Sequence, residues 1–271
     1  MATLSLCIAT FNEEKNIHYP LDSAIDIVDE VVIVDGGSKD KTLSIAQSYG
    51  QKVKVYQTVN HPMFHLNKQK AISLAKSDWI LQLDADEALS PELKSEIVQT
   101  INDHSLSFVA YFLPRKNWFL GRFLLKGGVY PDYTIRLYRR GNARFPCLSV
   151  HENVEIFQPG DNRRDRADLV GYLKNPLLHY ADPDFGRYLK RWRRYNLLDA
   201  ADLLKKDKEP AVIDYLFIKP LTTFISIYFR HLGFLDSWQG LVWAFFSAIR
   251  YINIYFLYQK NTKDKVLPKN N

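Results

Sequence analysis

Apolar residues in the first hundred positions fall in short blocks separated by longer segments of helical period. Residues 3–10 (Thr-Leu-Ser-Leu-Cys-Ile-Ala-Thr), 31–34 (Val-Val-Ile-Val), 53–56 (Val-Lys-Val-Tyr) and 79–83 (Trp-Ile-Leu-Gln-Leu) read as four strands. Helices are predicted between them, from Phe11 through about Ile27, from Lys39 to Tyr49 and from His65 to Lys76. Strands alternating with helices predict βαβ units and a mainly parallel sheet, which binds ligands beyond the carboxyl ends of its strands. Asn12-Glu13, Asp35 and Asp84 with Asp86 follow strands one, two and four, so all three polar clusters fall on that edge.

The pattern changes after a helix opened by Ser90-Pro91-Glu92, with serine as N-cap, proline at the first helical position and an acid in the first turn. Phe108 to Pro114, Thr134 to Arg139 and Val150 to Phe157 are strand candidates beside the sheet, where an acceptor can sit; Pro159 to Asp168 reads as a loop. From Phe185 the chain turns helical. Tyr188 to Tyr195 mixes four cations with three aromatics, and Tyr215 to Phe229 and Trp238 to Tyr258 are apolar and aromatic. The last run has the length of a membrane span, but Gln239, Arg250 and Asn253 interrupt it. Ser247, Arg250 and Asn253 form one polar stripe, which predicts an amphipathic helix lying in the plane of a membrane surface. Two helices packed on the main domain are the other reading.

Composition sharpens this division. The 271 residues are 46% hydrophobic and 24% charged, enough for one large α/β domain with an appendage. Of the 36 Lys and Arg, 15 lie from residue 185 onward against 7 Asp and Glu, so the net charge of +6 comes entirely from the C-terminal third. Cations interleaved with aromatics there point to an anionic membrane face, and no nucleic-acid partner is expected. Cys7 and Cys147 are the only cysteines, which suggests a reducing compartment, and no basic leader precedes the first strand. The expectation is a cytoplasmic protein, peripheral on the inner face of the cytoplasmic membrane.

Asp84-Ala85-Asp86-Glu87 carries the sharpest chemistry. Two carboxylates two apart at a strand exit can share a hard divalent cation, and such a cation can hold the diphosphate of a nucleotide-activated substrate. Ser90 takes the capping role, leaving Asp84, Asp86 and Glu87 in the connection before it. Asp35 precedes Gly36-Gly37; with Ser38 or Asp40 as the next helix cap, its carboxylate is left for a base N–H or a ribose hydroxyl. Asn12 caps the first helix or, with Thr10 and Glu13, faces the same pocket. The glycine fingerprint of dinucleotide folds and the Gly-Lys-Ser/Thr ending of a P-loop are both absent. Another metal-dependent α/β phosphate-transfer enzyme, such as a nucleotidyltransferase, is the alternative.

Thr10-Phe11-Asn12-Glu13-Glu14, Val34-Asp35-Gly36-Gly37-Ser38-Lys39-Asp40-Lys41-Thr42 and Asp78-Trp79 through Asp84-Ala85-Asp86-Glu87 occur in that order. Together they resemble family 2 of the inverting glycosyltransferases, with the GT-A fold. Pro131-Asp132-Tyr133, Arg136-Leu137-Tyr138-Arg139-Arg140 and Val150-His151-Glu152 are similar to the lipopolysaccharide-core β-1,4-glucosyltransferase branch. The resemblance implies a GT-A domain over 1–183, with a nucleotide-sugar half to about 105 and an acceptor half from about 106, and a helical extension over 184–271. It implies a nucleotide-sugar donor, expected to be UDP-linked, and a lipid-linked or cell-envelope glycan acceptor. Asp35 would bind the base with Thr10, Asn12 and Glu13 nearby, and Lys68 matches a basic position near the nucleotide. Asp84 would contact ribose or metal-bound water, and Asp86 would ligate Mg²⁺ or Mn²⁺. His179 or His151 would complete the metal or diphosphate site, and Arg136 would touch the diphosphate or pair with an acid. An inverting transfer also needs a carboxylate base, for which Glu152 is the first choice and Asp132 the second.

Overall fold

The structure, a computed structural model, describes residues 1–61, 63–103, 105–147, 153–161 and 166–266. In chain order the elements are β1 Leu4–Thr10, α1 His18–Ala24, β2 Glu30–Asp35, α2 Thr42–Ser48, β3 Val53–Gln57, α3 His65–Leu74, β4 Trp79–Leu83, β5 Glu87–Leu89, α4 Pro91–Asn102, β6 Ala110–Phe119, β7 Arg122–Phe123, β8 Asp132–Arg139, β9 Ala143–Arg144, β10 Glu155–Ile156, β11 Val170–Tyr172, β12 Leu177–Asp182, α5 Phe185–Lys205, α6 Lys219–Ile225 and α7 Ser237–Val266. Two compact units result. The first comprises residues 1–115 and 132–179, the second 116–131 and 180–271.

The sheet runs β3-β2-β1-β4-β8-β6-β12-β5. β3, β2, β1 and β4 are parallel; β8 lies antiparallel to β4 and β6. β1, β2 and β4 are almost wholly buried because helices cover both faces, as expected of parallel strands with continuous apolar runs. Leu4, Leu6, Ile8, Ile33 and Leu81 pack on one face with Leu21, Leu93 and Ile97. Cys7, Val32, Val34 and Ile80 pack on the other with Ala71 and Ile72 of α3. Burial pushes the Cys7 thiol far above its usual range, so it is an inert core residue.

The four predicted strands and the Ser90 cap are present, with Ser90 Oγ accepting from the Leu93 N–H at 3.1 Å. The first helix begins at His18, not Phe11, because Asn12 takes a left-handed φ of 55° and residues 11–17 fold as turns. Glu87 is not part of a loose connection. It opens β5, which pairs antiparallel with β12 through Leu177↔Leu89, Leu178↔Ala88 and His179↔Glu87. Strand β8 starts at Asp132, and of the strand expected over 150–157 only Glu155–Ile156 is seen among the described residues.

In the second unit, Asp184 caps α5, and α6 lies between two π-helical turns, Asp214–Ile218 and Ser226–Arg230. Asp236, 2% exposed, accepts from the Leu125 and Lys126 N–H groups at 3.0 and 2.7 Å, tying residues 116–131 to the start of α7. Phe119, Tyr188, Trp243 and Phe246 form its aromatic core. Part of the polar stripe of α7 turns toward α5, where Arg250 pairs with Asp199 and Asn196 donates to Asn253 at 3.2 Å.

Candidate active site

The loops after β1 and β2 are zipped together at the carboxyl edge. Thr10 and Asp35 are register partners, and the Gly36 N–H donates to the Thr10 carbonyl at 2.8 Å. The Asn12 N–H donates to Ser38 Oγ at 2.8 Å, and Asn12 Oδ1 accepts from the Lys39 N–H at 2.9 Å. Asn12 is therefore a loop cross-link, not a helix cap. Glu13 bonds Thr42 through its N–H at 2.8 Å and accepts from Asn16 through its carboxylate at 2.6 Å. The Thr10 hydroxyl is buried without a hydrogen-bond partner among the described residues.

Asp35 is not left over by the turn; it builds it. Its Oδ2 accepts from the Gly37 and Ser38 N–H groups, each at 2.8 Å, and its Oδ1 from Ser38 Oγ at 2.5 Å. Gly37 has φ +86°, and a Cβ on Gly36 would lie 3.1 Å from the Asn60 Cα. The paired glycines are needed by backbone shape alone.

At the end of β4 the acids separate into two groups. Asp84 is gripped by two cations: Lys68 bridges its Oδ1, and Arg136 donates to its Oδ2 at 2.7 Å. Burial alone would raise the Asp84 pKa, but Arg136 and then Lys68 outweigh it and hold the carboxyl far below its usual range. Arg136, on β8, also donates to Gln82 at 3.0 Å and to both oxygens of Glu87 at 2.9 and 2.8 Å. All three guanidinium nitrogens bond within the fold, which is the acid-pairing alternative of the sequence reading.

Glu87 is completely buried. Besides Arg136 it accepts from the Asp84 N–H at 3.0 Å and from Arg115 at 3.3 Å. Arg115 then donates to Asp132 Oδ2 at 3.0 and 2.7 Å. A continuous ionic chain thus runs Asp84–Arg136–Glu87–Arg115–Asp132, its charges alternating in sign. The sequence reading passes over Gln82 and Arg115. One polar residue inside the buried run 79–83, and an arginine directly after the Phe108–Pro114 strand pattern, are the signals that mark them.

Asp86 points elsewhere. His179 Nε2 lies 3.6 Å from Asp86 Oδ1, brought there by the pairing of β12 with β5. The carboxylate and imidazole suit Mn²⁺ or Mg²⁺, the carboxylate for either ion and the imidazole for the softer Mn²⁺. Asp84, with both oxygens bound to cations, lies beside this pair. Among the described residues no three His, Cys, Asp or Glu side chains gather as a cage. Glu152 and His151 lie outside the described residues.

A parallel sheet with helices on both faces, its strand ends carrying Asp35, Asp84 and Asp86, is a fold of the GT-A type. The chain belongs to glycosyl transferase family 2, whose sequence profile matches residues 5–157. It is 30% identical over 259 residues to an uncharacterized glycosyltransferase of Rickettsia bellii, covering 91% of this chain and 84% of that one. It is 27% identical over 258 residues to the lipopolysaccharide core biosynthesis glycosyltransferase LpsC of Rhizobium meliloti, covering 91% of each. Among solved structures it is similar to S. aureus TarS 1-349 in complex with UDP-GlcNAc, at 18% identity and a TM-score of 0.48 over 97% of this chain and 92% of that one. The protein is a glycosyltransferase with relatives in lipopolysaccharide biosynthesis.

Proposed function

We propose that this enzyme moves a sugar, with inversion, from a UDP-linked donor to a lipid-linked or cell-envelope glycan at the cytoplasmic face of the membrane. The observation that carries the reading is the divided acid cluster at the end of β4: Asp84 held by Lys68 and Arg136, and Asp86 facing His179.

The nucleoside lies over the β1 and β2 loops, where the buried Thr10 hydroxyl and the Asp35 turn form the floor. Asp84, kept ionised by its two cations, accepts from a ribose hydroxyl. Asp86 and His179 would hold Mg²⁺ or Mn²⁺, which when bound supplies positive charge for the departing diphosphate. The acceptor oxygen attacks the anomeric carbon from the side opposite the diphosphate. The new C–O bond forms as the old one breaks, and the acceptor proton passes to a carboxylate. Glu152 is the first choice for that base. Asp132, fixed by Arg115 at the far end of the ionic chain, is the second.

The test is release of UDP from a panel of UDP-sugars, with envelope glycolipid extract as acceptor and with or without Mn²⁺. Metal-dependent release that rises with extract is expected. No release from any donor overturns the reading.

A further inference from the structure

The reaction site uses none of the surface carried by residues 213–245. Ile213, Phe217, Leu221, Ile225 and Phe229 recur every four residues, and each is 47–68% exposed. An α-helix of 3.6 residues per turn would carry such a repeat around its axis. The π turns flanking α6 take more residues per turn, so the mixed run keeps all five on one line. On α7, Trp238, Leu241 and Phe245 are also exposed, on the side away from the Arg250 and Asn253 contacts with α5. Leu232, Phe234 and Leu235 join the two helices and are exposed as well. So many large apolar side chains exposed within residues 213–245 exceed the scattered apolar residues of an ordinary soluble surface.

The charge of this unit identifies the partner. Residues 116–131 and 180–271 hold 18 Lys and Arg against 9 Asp and Glu, whereas the rest of the chain holds 18 against 21. A net +9 unit with an apolar face is complementary to an anionic bilayer and repels a second copy of itself.

We propose that this face is an in-plane docking plate for anionic lipid, with the Ile213–Phe229 line and Trp238–Phe245 entering the headgroup–acyl boundary. The proposal deepens the reading above, in which the acceptor is presented at a membrane. α7 lies on the bilayer without crossing it, because crossing would carry Arg250 and its Asp199 partner into hydrocarbon. Docking uses the apolar side of α7, opposite the Arg250 and Asn253 contacts with α5.

The test is co-sedimentation of the full chain with phosphatidylglycerol-containing and pure phosphatidylcholine vesicles, together with tryptophan emission. Binding to the anionic vesicles, its loss in high salt, and a blue shift absent from Trp238→Phe are expected. Phe217→Glu with Leu221→Glu should weaken partition at least about tenfold, since two anchors are lost. Both sites are exposed, so an unchanged melting temperature verifies the fold. Absence of vesicle binding overturns the proposal, as does equal binding to neutral vesicles, or a double variant that binds like the parent. A stable dimer that the double variant dissolves also overturns it, assigning the face to a second copy. Donor-dependent thermal protection and UDP release, read on the same samples, register failure of the catalytic reading separately.

Discussion

One terminal nitrogen of Arg136 donates to both Asp84 and Glu87, at 2.7 and 2.8 Å. The residue that neutralises the acid at the β4 exit is thereby anchored by a second acid that never meets solvent. Arg136→Met leaves Glu87 and Asp84 short of a partner in a buried setting. A loss of about 3–5 kcal/mol is expected in urea denaturation, with UDP release abolished. Arg136→Lys keeps the charge but cannot fork, so it should restore only part of the stability.

Asp86 and His179, 3.6 Å apart, are proposed to hold the metal together. His179→Ala should raise the Mn²⁺ concentration needed for half-maximal turnover and lower kcat by about 10²-fold, with the fold intact. Asp86→Ala should do the same. The double variant should be little worse than either single one, because residues acting as a unit are not additive. Metal-titrated initial rates check this.

The carboxylate that accepts the proton is separable by kinetics. Glu152→Gln should lower kcat by about 10²–10⁴-fold with the donor KM unchanged, and should remove the acid limb of the pH–rate profile. Asp132→Asn should keep that limb. The opposite result transfers the role to Asp132.

Glu30 is one of the carboxyls whose stabilising contacts are lost in acid. Burial tends to raise its pKa, but the Lys76 N–H at 2.6 Å, the Ser5 hydroxyl at 2.7 Å and Lys54 at 3.0 Å outweigh it and hold the carboxyl below its usual range. A carboxyl lowered on folding gives stability that is complete above its unfolded pKa of about 4.3 and lost as the pH falls through the folded value. Thermal melts between pH 7 and pH 3 should therefore steepen at the acid end, and Glu30→Gln should flatten that slope.

Gly37→Ala places a side chain at φ +86° and should cost about 1–2 kcal/mol. Because that turn carries Asp35, the donor KM should rise while kcat holds. Steady-state kinetics with varied donor decide it.

The β1–β4 strands and the edge they share were legible because buried parallel strands are continuous apolar runs, and such runs in Leu4–Thr10 and Trp79–Leu83 admit one reading. The Asp84–Asp86 motif was legible for its position after such a run. The different partners of the two acids were not, and only the family resemblance separates their roles. Those of Asp84 include Lys68 from α3 and Arg136 from β8, and nothing local marks two cations as meeting one carboxylate. The strand that carries His179 was not read, because its partner Glu87 is far away in sequence and antiparallel pairing at that distance leaves no periodic trace. The stripe Ser247, Arg250 and Asn253 was visible, but helical phase alone cannot say whether a polar face looks at water or at Asp199 and Asn196.

The β5–β12 ladder also fixes an order of events. The contacts that place His179 beside Asp86 span about ninety residues, and distant pairings of this kind form late because their closure costs the most chain entropy. On the ribosome, which synthesises the N-terminus first, the β1–β4 core can condense while Leu177–Asp182 is still unmade. The nascent chain then has a floor for the nucleoside and only half of the Asp86–His179 pair. If that pair holds the metal as proposed, competence to break the sugar–diphosphate bond arrives with the last strand of the sheet.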